Sequence, residues 1–143
     1  MSSAPTLAPD AAMVLGIAAT AIPFARTPEE EAERWLRVLR LHGEVGNALQ
    51  SLGVSEVAIG LHPENGHGDP AASAVPGAGA GDRRDVIARV GAGAARIAAA
   101  RGAAGVATTD VLMALLEVYG PVFERALRAH GTDSDEVLER LAA

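Results

Sequence analysis

The stretch that most constrains the fold is residues 106–131, VATTDVLMALLEVYGPVFERALRAHG. Apolar residues recur every three or four positions on both sides of a single Gly-Pro break, which is the spacing of two amphipathic helices. Helices of this kind bury their apolar stripes against one another rather than forming a sheet. The segment therefore predicts an all-α protein.

Composition supports the same fold class and excludes several functions. Hydrophobic residues make up 49% of the 143-residue chain but aromatic residues only 3%, which favours closely packed helices over strands. This length fits one domain with a substantial core. The net charge of −6 argues against binding nucleic acid or an anionic membrane. The absence of Cys excludes disulfide and thiolate chemistry.

The N-terminal apolar run at residues 11–22, AAMVLGIAATAI, is too short to cross a bilayer. The preceding MSSAPTLAPD lacks the basic residues of a signal peptide. We therefore predict a buried helix over about 11–21, capped by Asp10, in a cytoplasmic protein.

Helix-start signals divide the remaining chain. Thr27 is a predicted N-cap followed by Pro28, and an acidic first turn complements the positive end of the helix dipole. Trp35 falls on the predicted inner stripe of that helix. Further helices are predicted over 44–52 with Gly53 as the C-terminal stop, from Asp82 to about 101, from an N-cap at Thr108 or Thr109, from Pro121, and over 133–142. Residues 62–81, rich in Pro, Gly and Ser, are predicted to be a linker.

The two halves of the chain repeat one order of elements, a long helix, a capped helix, a Gly break and a short helix. This order predicts an internal duplication. We expect a single domain over 1–143, built from two pseudo-repeats of about four helices each. Repeat one covers about 8–61, the linker 62–81, and repeat two about 82–143.

Residues 107–118, ATTDVLMALLEV, and 120–131, GPVFERALRAHG, resemble the repeat of the N-terminal (double Clp repeat) domain of Clp-family AAA+ unfoldases. In the first half, residues 43–54, GEVGNALQSLGV, resemble the second of these pieces. The resemblance implies a stand-alone domain that binds a Clp unfoldase, a substrate protein or a peptide, as an adaptor or a decoy. An alternative implied by the same fold is a small-molecule or cyclic-peptide binding protein that sequesters its ligand.

The resemblance also implies a position at which a phosphoarginine-binding residue would lie. Some members bind phosphoarginine through the Glu of a T-E-H motif, and the matching position here is Thr109 in the second half and Pro28 or Glu29 in the first. The chain contains no G-x-x-x-x-G-K-[ST] motif, so we predict no P-loop ATPase. We expect no enzymatic activity and no cofactor.

The candidate peptide- or ligand-binding residues combine acids, aromatics and the start of the second-half helix. They are Glu29, Glu30, Trp35, Thr109, Asp110, Tyr119 and Phe123. The acids at 29–31 and 33 could bind Arg peptides or act as a general acid and base, or could serve only the helix dipole. The aromatics could line a groove or fill the core. Asp110 and His130 could form a buried pair.

Two further patterns have weaker interpretations. His62, Glu64, His67 and Asp69 are metal-ligand types, but their spacing matches no metal motif, and a solvated linker explains them. The sequence PGAGAGD at 76–82 resembles a phosphate loop, but no strand is predicted before it.

Overall fold

The computed structural model describes residues 6–54 and 78–142, with side chains of the second range from Asp85 onward. Within these ranges the chain is helical apart from two short strands and the turns, which confirms the predicted all-α class. The elements, in chain order, are β1 (Thr6–Leu7), α1 (Pro9–Ala21), a 3-10 turn (Ile22–Phe24), α2 (Pro28–Leu39), α3 (Gly43–Ser51), α4 (Ala78–Ala100), β2 (Gly105–Val106), α5 (Thr108–Tyr119), α6 (Pro121–Ala129) and α7 (Ser134–Ala142).

The two strands form one parallel pair, with Thr6 opposite Gly105 and Leu7 opposite Val106. Flanking backbone bonds from Thr6 N–H to the Ala104 carbonyl and from Ala8 N–H to the Val106 carbonyl extend it. The pair anchors the start of α1 beside the start of α5.

The core lies where the helices of the two halves meet. α4 packs along α5, α1 and the 3-10 turn pack on α4, α2 packs on α6, and α3 packs on α5 and α7. A Cβ on Gly93 would lie 3.3 Å from the Ala114 Cβ, so glycine allows the close approach of α4 and α5. The largest fully buried side chains are Trp35, Phe123, Ile22, Leu36, Leu39, Leu49, Leu112, Leu115 and Leu127.

The second and third helices of each half match in length. α2 and α5 both have 12 residues, and α3 and α6 both have 9. Both short helices end at a glycine with positive φ, +89° at Gly53 and +88° at Gly131. The next residue then donates its N–H to the carbonyl of Leu49 or Leu127, a helix stop that glycine adopts without steric cost. Residues 55–61, the predicted end of repeat one, lie outside the described residues.

The predicted cap of α2 is confirmed. Thr27 Oγ1 accepts the N–H of Glu30 at 3.0 Å, and Glu30 Oε1 accepts the N–H of Arg26 at 2.8 Å. The first bond satisfies a donor that the first helical turn leaves unpaired, and the second joins the residue before the N-cap to the same turn. One acid of the first turn, Glu30, therefore stabilises the start of α2.

The predicted caps of α1 and α5 are wrong. Helix α1 begins at Pro9, so Asp10 lies inside its first turn and Ala8 occupies the N-cap. Helix α5 has Ala107 at its N-cap, and the carboxylate of Asp110 reaches back to accept the Ala107 N–H at 2.9 Å. A carboxylate at the third helical position can satisfy that N–H as well as a capping hydroxyl satisfies others, which leaves the neighbouring threonines available for packing.

The predicted linker ends earlier than expected. Helix α4 begins at Ala78, so residues 78–81 are helical and Gly79 and Gly81 are not part of a phosphate-binding loop. Once tertiary packing forms the downstream turns, each added residue gains a hydrogen bond at low cost, and alanine is the best helix former. Residues 62–77, including the predicted metal-ligand types at 62, 64, 67 and 69, lie outside the described residues.

Candidate functional site

Three glutamates of α2 contact side chains of the second half of the chain. The pairs are Glu29–Arg125 at 3.3 Å, Glu31–Tyr119 at 2.7 Å and Glu33–His130 at 2.7 Å. Residues 29 and 33 lie one turn apart and meet α6 and its C-terminal end, whereas Glu31 meets the end of α5. We call these three pairs the acidic seam, because they join the α2 acids to the opposite half.

The buried centre of the acidic seam is the Tyr119 hydroxyl. It donates to Glu31 Oε1 and accepts from Trp35 Nε1 at 3.0 Å. Burial, and then the Glu31 carboxylate, raise the pKa of Tyr119, so the phenol stays protonated and keeps donating at neutral pH. Trp35, Tyr119 and Phe123 are all buried. These three aromatic side chains therefore lie in the core and do not line a ligand groove.

Glu33 and His130 form the second buried contact. Their relative exposures are 7% and 2%, and His130 Nε2 lies 2.7 Å from Glu33 Oε2. Arg37 Nε, on a half-exposed side chain, lies 3.9 Å from the same oxygen. Glu33 Oε1 and His130 Nδ1 are buried and find no hydrogen-bond partner within the described residues. The carboxylate therefore depends on His130 for its close hydrogen bond.

Asp110 is held by Arg101 and does not form the buried pair with His130 that the sequence left open. The guanidinium donates two bonds, of 2.8 and 2.6 Å, to the two carboxylate oxygens. Burial alone would raise the pKa of Asp110, but the bonds from Arg101 and Ala107 and the Arg101 charge outweigh it and lower that pKa. The pairing differs because Asp110 turns back toward the end of α4, whereas His130 follows α6 toward α2.

The remaining predicted residues occupy different environments. Glu30 accepts the Arg26 N–H at the start of α2 and lies 3.4 Å from Arg34 on the same helix. Arg34 in turn donates to the Ala21 carbonyl of α1 at 2.8 Å and so joins the two helices. Glu29 is exposed and bonds to Arg125 on the surface. Thr109 is half-buried in the first turn of α5. The candidate residues therefore do not converge on one concave site.

Two of the open depressions on the described surface contain no predicted site residue. One, of about 440 Å³, is lined mainly by charged side chains around the start of α7, including Arg128, Asp133 and Glu136. The other, of about 500 Å³, follows α4 past Asp85 and Arg89. Among the described residues, no three His, Cys, Asp or Glu side chains are arranged to hold a metal ion. None of the described helices is long and apolar enough to cross a membrane.

The surface feature that the sequence interpretation missed is the outward side of α1. The buried side of this helix carries Ala11, Val14 and Ala18, whereas Met13 is 52% exposed and Ile17 is 38% exposed. Phe24, in the following turn, is 74% exposed. We call Met13, Ile17 and Phe24 the α1 face. The predicted buried helix is thus buried on one side only, and two of its large apolar side chains, Met13 and Ile17, are exposed.

One signal in the sequence marks such a helix. The run at 11–22 contains no charged residue and only one hydroxyl side chain, so the helix has no strongly polar side to turn toward water. Large apolar side chains grouped on a surface commonly mark a binding site for another protein.

No protein-family model, curated protein or solved structure matches this chain. The likeness to the Clp N-terminal domain rests on the sequence segments 43–54 and 107–131 and stays a prediction.

Proposed function

We propose that this protein is a non-catalytic protein-binding module that docks an apolar segment of a partner on the α1 face. The observation that carries the proposal is the exposure of three large apolar side chains on α1 and the turn after it, namely Met13, Ile17 and Phe24. Exposed apolar side chains do not stabilise the protein while it is alone. Hydrophobic free energy is gained only when a partner covers them.

The gain available from covering this face is appreciable. Full burial of one large aliphatic or aromatic side chain contributes about 1.5–3 kcal/mol. Met13 and Phe24 are 52% and 74% exposed, so each retains more than half of its surface for a partner. Covering the face therefore supplies a few kcal/mol, and further contacts with the partner must offset the rest of the cost of association.

The polar interior supports a binding role rather than a catalytic one. Glu31, Glu33 and Asp110 are each hydrogen-bonded to another side chain of the protein. These contacts join helices to one another, so the three acids have a role in stabilising the fold. The proposal accordingly assigns function to the surface.

The resemblance to the Clp N-terminal domain suggests the class of partner. We propose a cytoplasmic adaptor or decoy in Clp-dependent proteolysis, which binds a Clp unfoldase or a substrate protein of one. An adaptor would carry the substrate to the unfoldase, and a decoy would compete with substrate for it.

The test is direct binding of the purified protein to the purified Clp unfoldase of its host, measured by biolayer interferometry. We expect Ile17→Glu to weaken binding at least about tenfold, because a charge would be buried against an apolar segment. Asn47→Glu adds the same charge on the exposed side of α3 and should leave binding unchanged. Equal binding by the two variants would refute the role of the α1 face.

A second measurement separates the alternative function. If the unfoldase and its substrates fail to bind, a thermal-shift series with apolar cyclic peptides tests ligand sequestration. A ligand at 100 times its dissociation constant adds about 2.7 kcal/mol of stability. If a cyclic peptide stabilises the wild-type protein but not Ile17→Glu, the α1 face binds a ligand and the sequestering function is favoured over protein docking.

A further inference from the structure

We propose that Met13 is an oxidation site that regulates the α1 face. Hydrogen peroxide converts its thioether to the sulfoxide, and the sulfoxide opposes docking of an apolar partner. The effect on a protein partner rests on the proposed function, whereas the selective oxidation of Met13 does not depend on it. The exposure of this side chain, its neighbours on α1 and the sulfur content of the chain support the assignment.

Sulfur occurs in this chain only as thioether. The sequence contains no Cys and three methionines, Met1, Met13 and Met113. Thiolates are the sulfur groups that peroxides otherwise attack, so methionine is the sulfur group left for such an oxidant here. Met1 lies outside the described residues, and the structural comparison is therefore between Met13 and Met113.

The two described methionines differ in their access to water. Met13 lies on the outward side of α1 and is 52% exposed. Met113 is partly buried in α5, the helix that packs along α4. One turn along α1 from Met13 is Gly16, which is exposed and has no side chain to cover the thioether. A dissolved peroxide therefore reaches the sulfur of Met13 before that of Met113.

The reaction is a two-electron oxygen transfer. A sulfur lone pair attacks one oxygen of hydrogen peroxide, the O–O bond breaks and an S–O bond forms. The other oxygen takes the proton of the transferred one and leaves as water, so sulfur is oxidised and the peroxide is reduced. Methionine sulfoxide reductases return the sulfoxide to the thioether, which makes the modification reversible.

The sulfoxide changes the polarity of the α1 face. Met13 and Ile17 are four residues apart and lie on the same side of the helix, so the new S–O group lies beside an apolar side chain. Its oxygen is a polar acceptor, and an apolar segment that covers it offers no hydrogen bond in return. We expect oxidation of Met13 to weaken docking at least about tenfold.

Peptide mass spectrometry tests the site. After treatment of the purified protein with dilute hydrogen peroxide, cleavage before Asp gives peptides 1–9, 10–68 and 110–132, each with one methionine. We expect peptide 10–68 to gain one oxygen several times faster than 110–132, and fragmentation to place it on Met13 rather than on the buried Trp35. Equal rates, or faster oxidation of Met113, would overturn the assignment.

Biolayer interferometry with the Clp unfoldase of the host tests the consequence. Oxidised wild-type protein should bind at least about tenfold more weakly than untreated protein, and methionine sulfoxide reductases should restore binding. Met113→Leu should show the same loss after peroxide, whereas binding by Met13→Leu should not respond to peroxide. The urea midpoint should stay constant, because the oxidised side chain lies largely in water. Unchanged binding after complete oxidation of Met13 would overturn the inference.

Retention on a hydrophobic-interaction column gives a readout that needs no protein partner, because the apolar groups of the column take its place. Oxidised wild-type protein should elute earlier than untreated protein, and Met13→Leu should not shift. If untreated protein fails to bind the unfoldase but its retention falls on oxidation of Met13, the proposed function fails and the oxidation site stands. Unchanged retention would overturn the oxidation site whatever the partner.

Discussion

The strongest quantitative prediction concerns the buried contact between Glu33 and His130. Replacing His130 by Leu removes the 2.7 Å hydrogen bond and leaves a carboxylate of 7% exposure without its close donor. A hydrogen bond to a charged group contributes about 1.5–3 kcal/mol, and an unpaired buried charge costs more. Arg37 at 3.9 Å remains to offset part of that cost. We therefore expect His130→Leu to lower the free energy of unfolding by about 2–3 kcal/mol.

The pair and its parts should behave differently. Replacing both residues by Leu removes the buried charge together with its partner, and such replacements are often neutral or stabilising. We expect the double variant to recover most of the stability that His130→Leu loses. Arg37→Leu, which removes only a distant and half-exposed partner, should cost less than about 1 kcal/mol.

Urea unfolding followed by tryptophan fluorescence is a suitable assay, because Trp35 is the single tryptophan and is fully buried. A loss of 2–3 kcal/mol corresponds to a fall in the melting temperature on the order of 10 °C for a domain of this size. If His130→Leu costs less than about 0.5 kcal/mol, or if the double variant is as unstable as the single one, the assigned role of the pair is wrong.

Three further predictions test other contacts. Tyr119→Phe removes the acceptor of Trp35 Nε1 and a donor to Glu31, and should cost about 1–3 kcal/mol in urea unfolding. Because the pKa of Asp110 is lowered in the folded state, its carboxylate stabilises the fold above about pH 4, and this stabilisation is lost as the pH falls through the lowered pKa. Asp110→Asn should therefore reduce the loss of unfolding free energy on the acid side of the stability–pH curve. Gly43→Ala should lower the melting temperature more than Gly102→Ala. Both glycines have positive φ, but only a Cβ at position 43 would meet Thr108 Oγ1, at 2.6 Å. Equal losses in the two variants would contradict the clash.

The helices and their stops could be predicted from the sequence because their causes are local. Thr27 caps α2 through a residue three positions away, and Gly53 and Gly131 end their helices through the positive φ that glycine adopts. Where either of two side chains could satisfy the backbone at a helix start, the prediction was wrong. At the start of α5, Asp110 took the role assigned to Thr108 or Thr109, since a carboxylate inside the first turn can reach back to the N-cap N–H.

The candidate site was harder to predict because its acids serve partners far away in the sequence. Glu31 and Tyr119 are 88 residues apart, and Glu33 and His130 are 97 apart. An acidic first turn has the same local pattern whether its side chains face water, a ligand or another helix. The outward side of α1 was hidden for a related reason, since a helix apolar on all sides does not indicate which side the core covers.

The sequence alone determined the all-α class, the capped start of α2, the inward stripes and the glycine stops, because each depends on backbone preferences and on periodicity within a few residues. The tertiary structure alone decided that the α2 acids join the two halves, that the Tyr119 hydroxyl bonds to both Glu31 and Trp35, and that Met13 and Ile17 face water. These outcomes depend on which surfaces meet when the helices pack. Burial and pairing between distant segments follow from that packing and not from local periodicity.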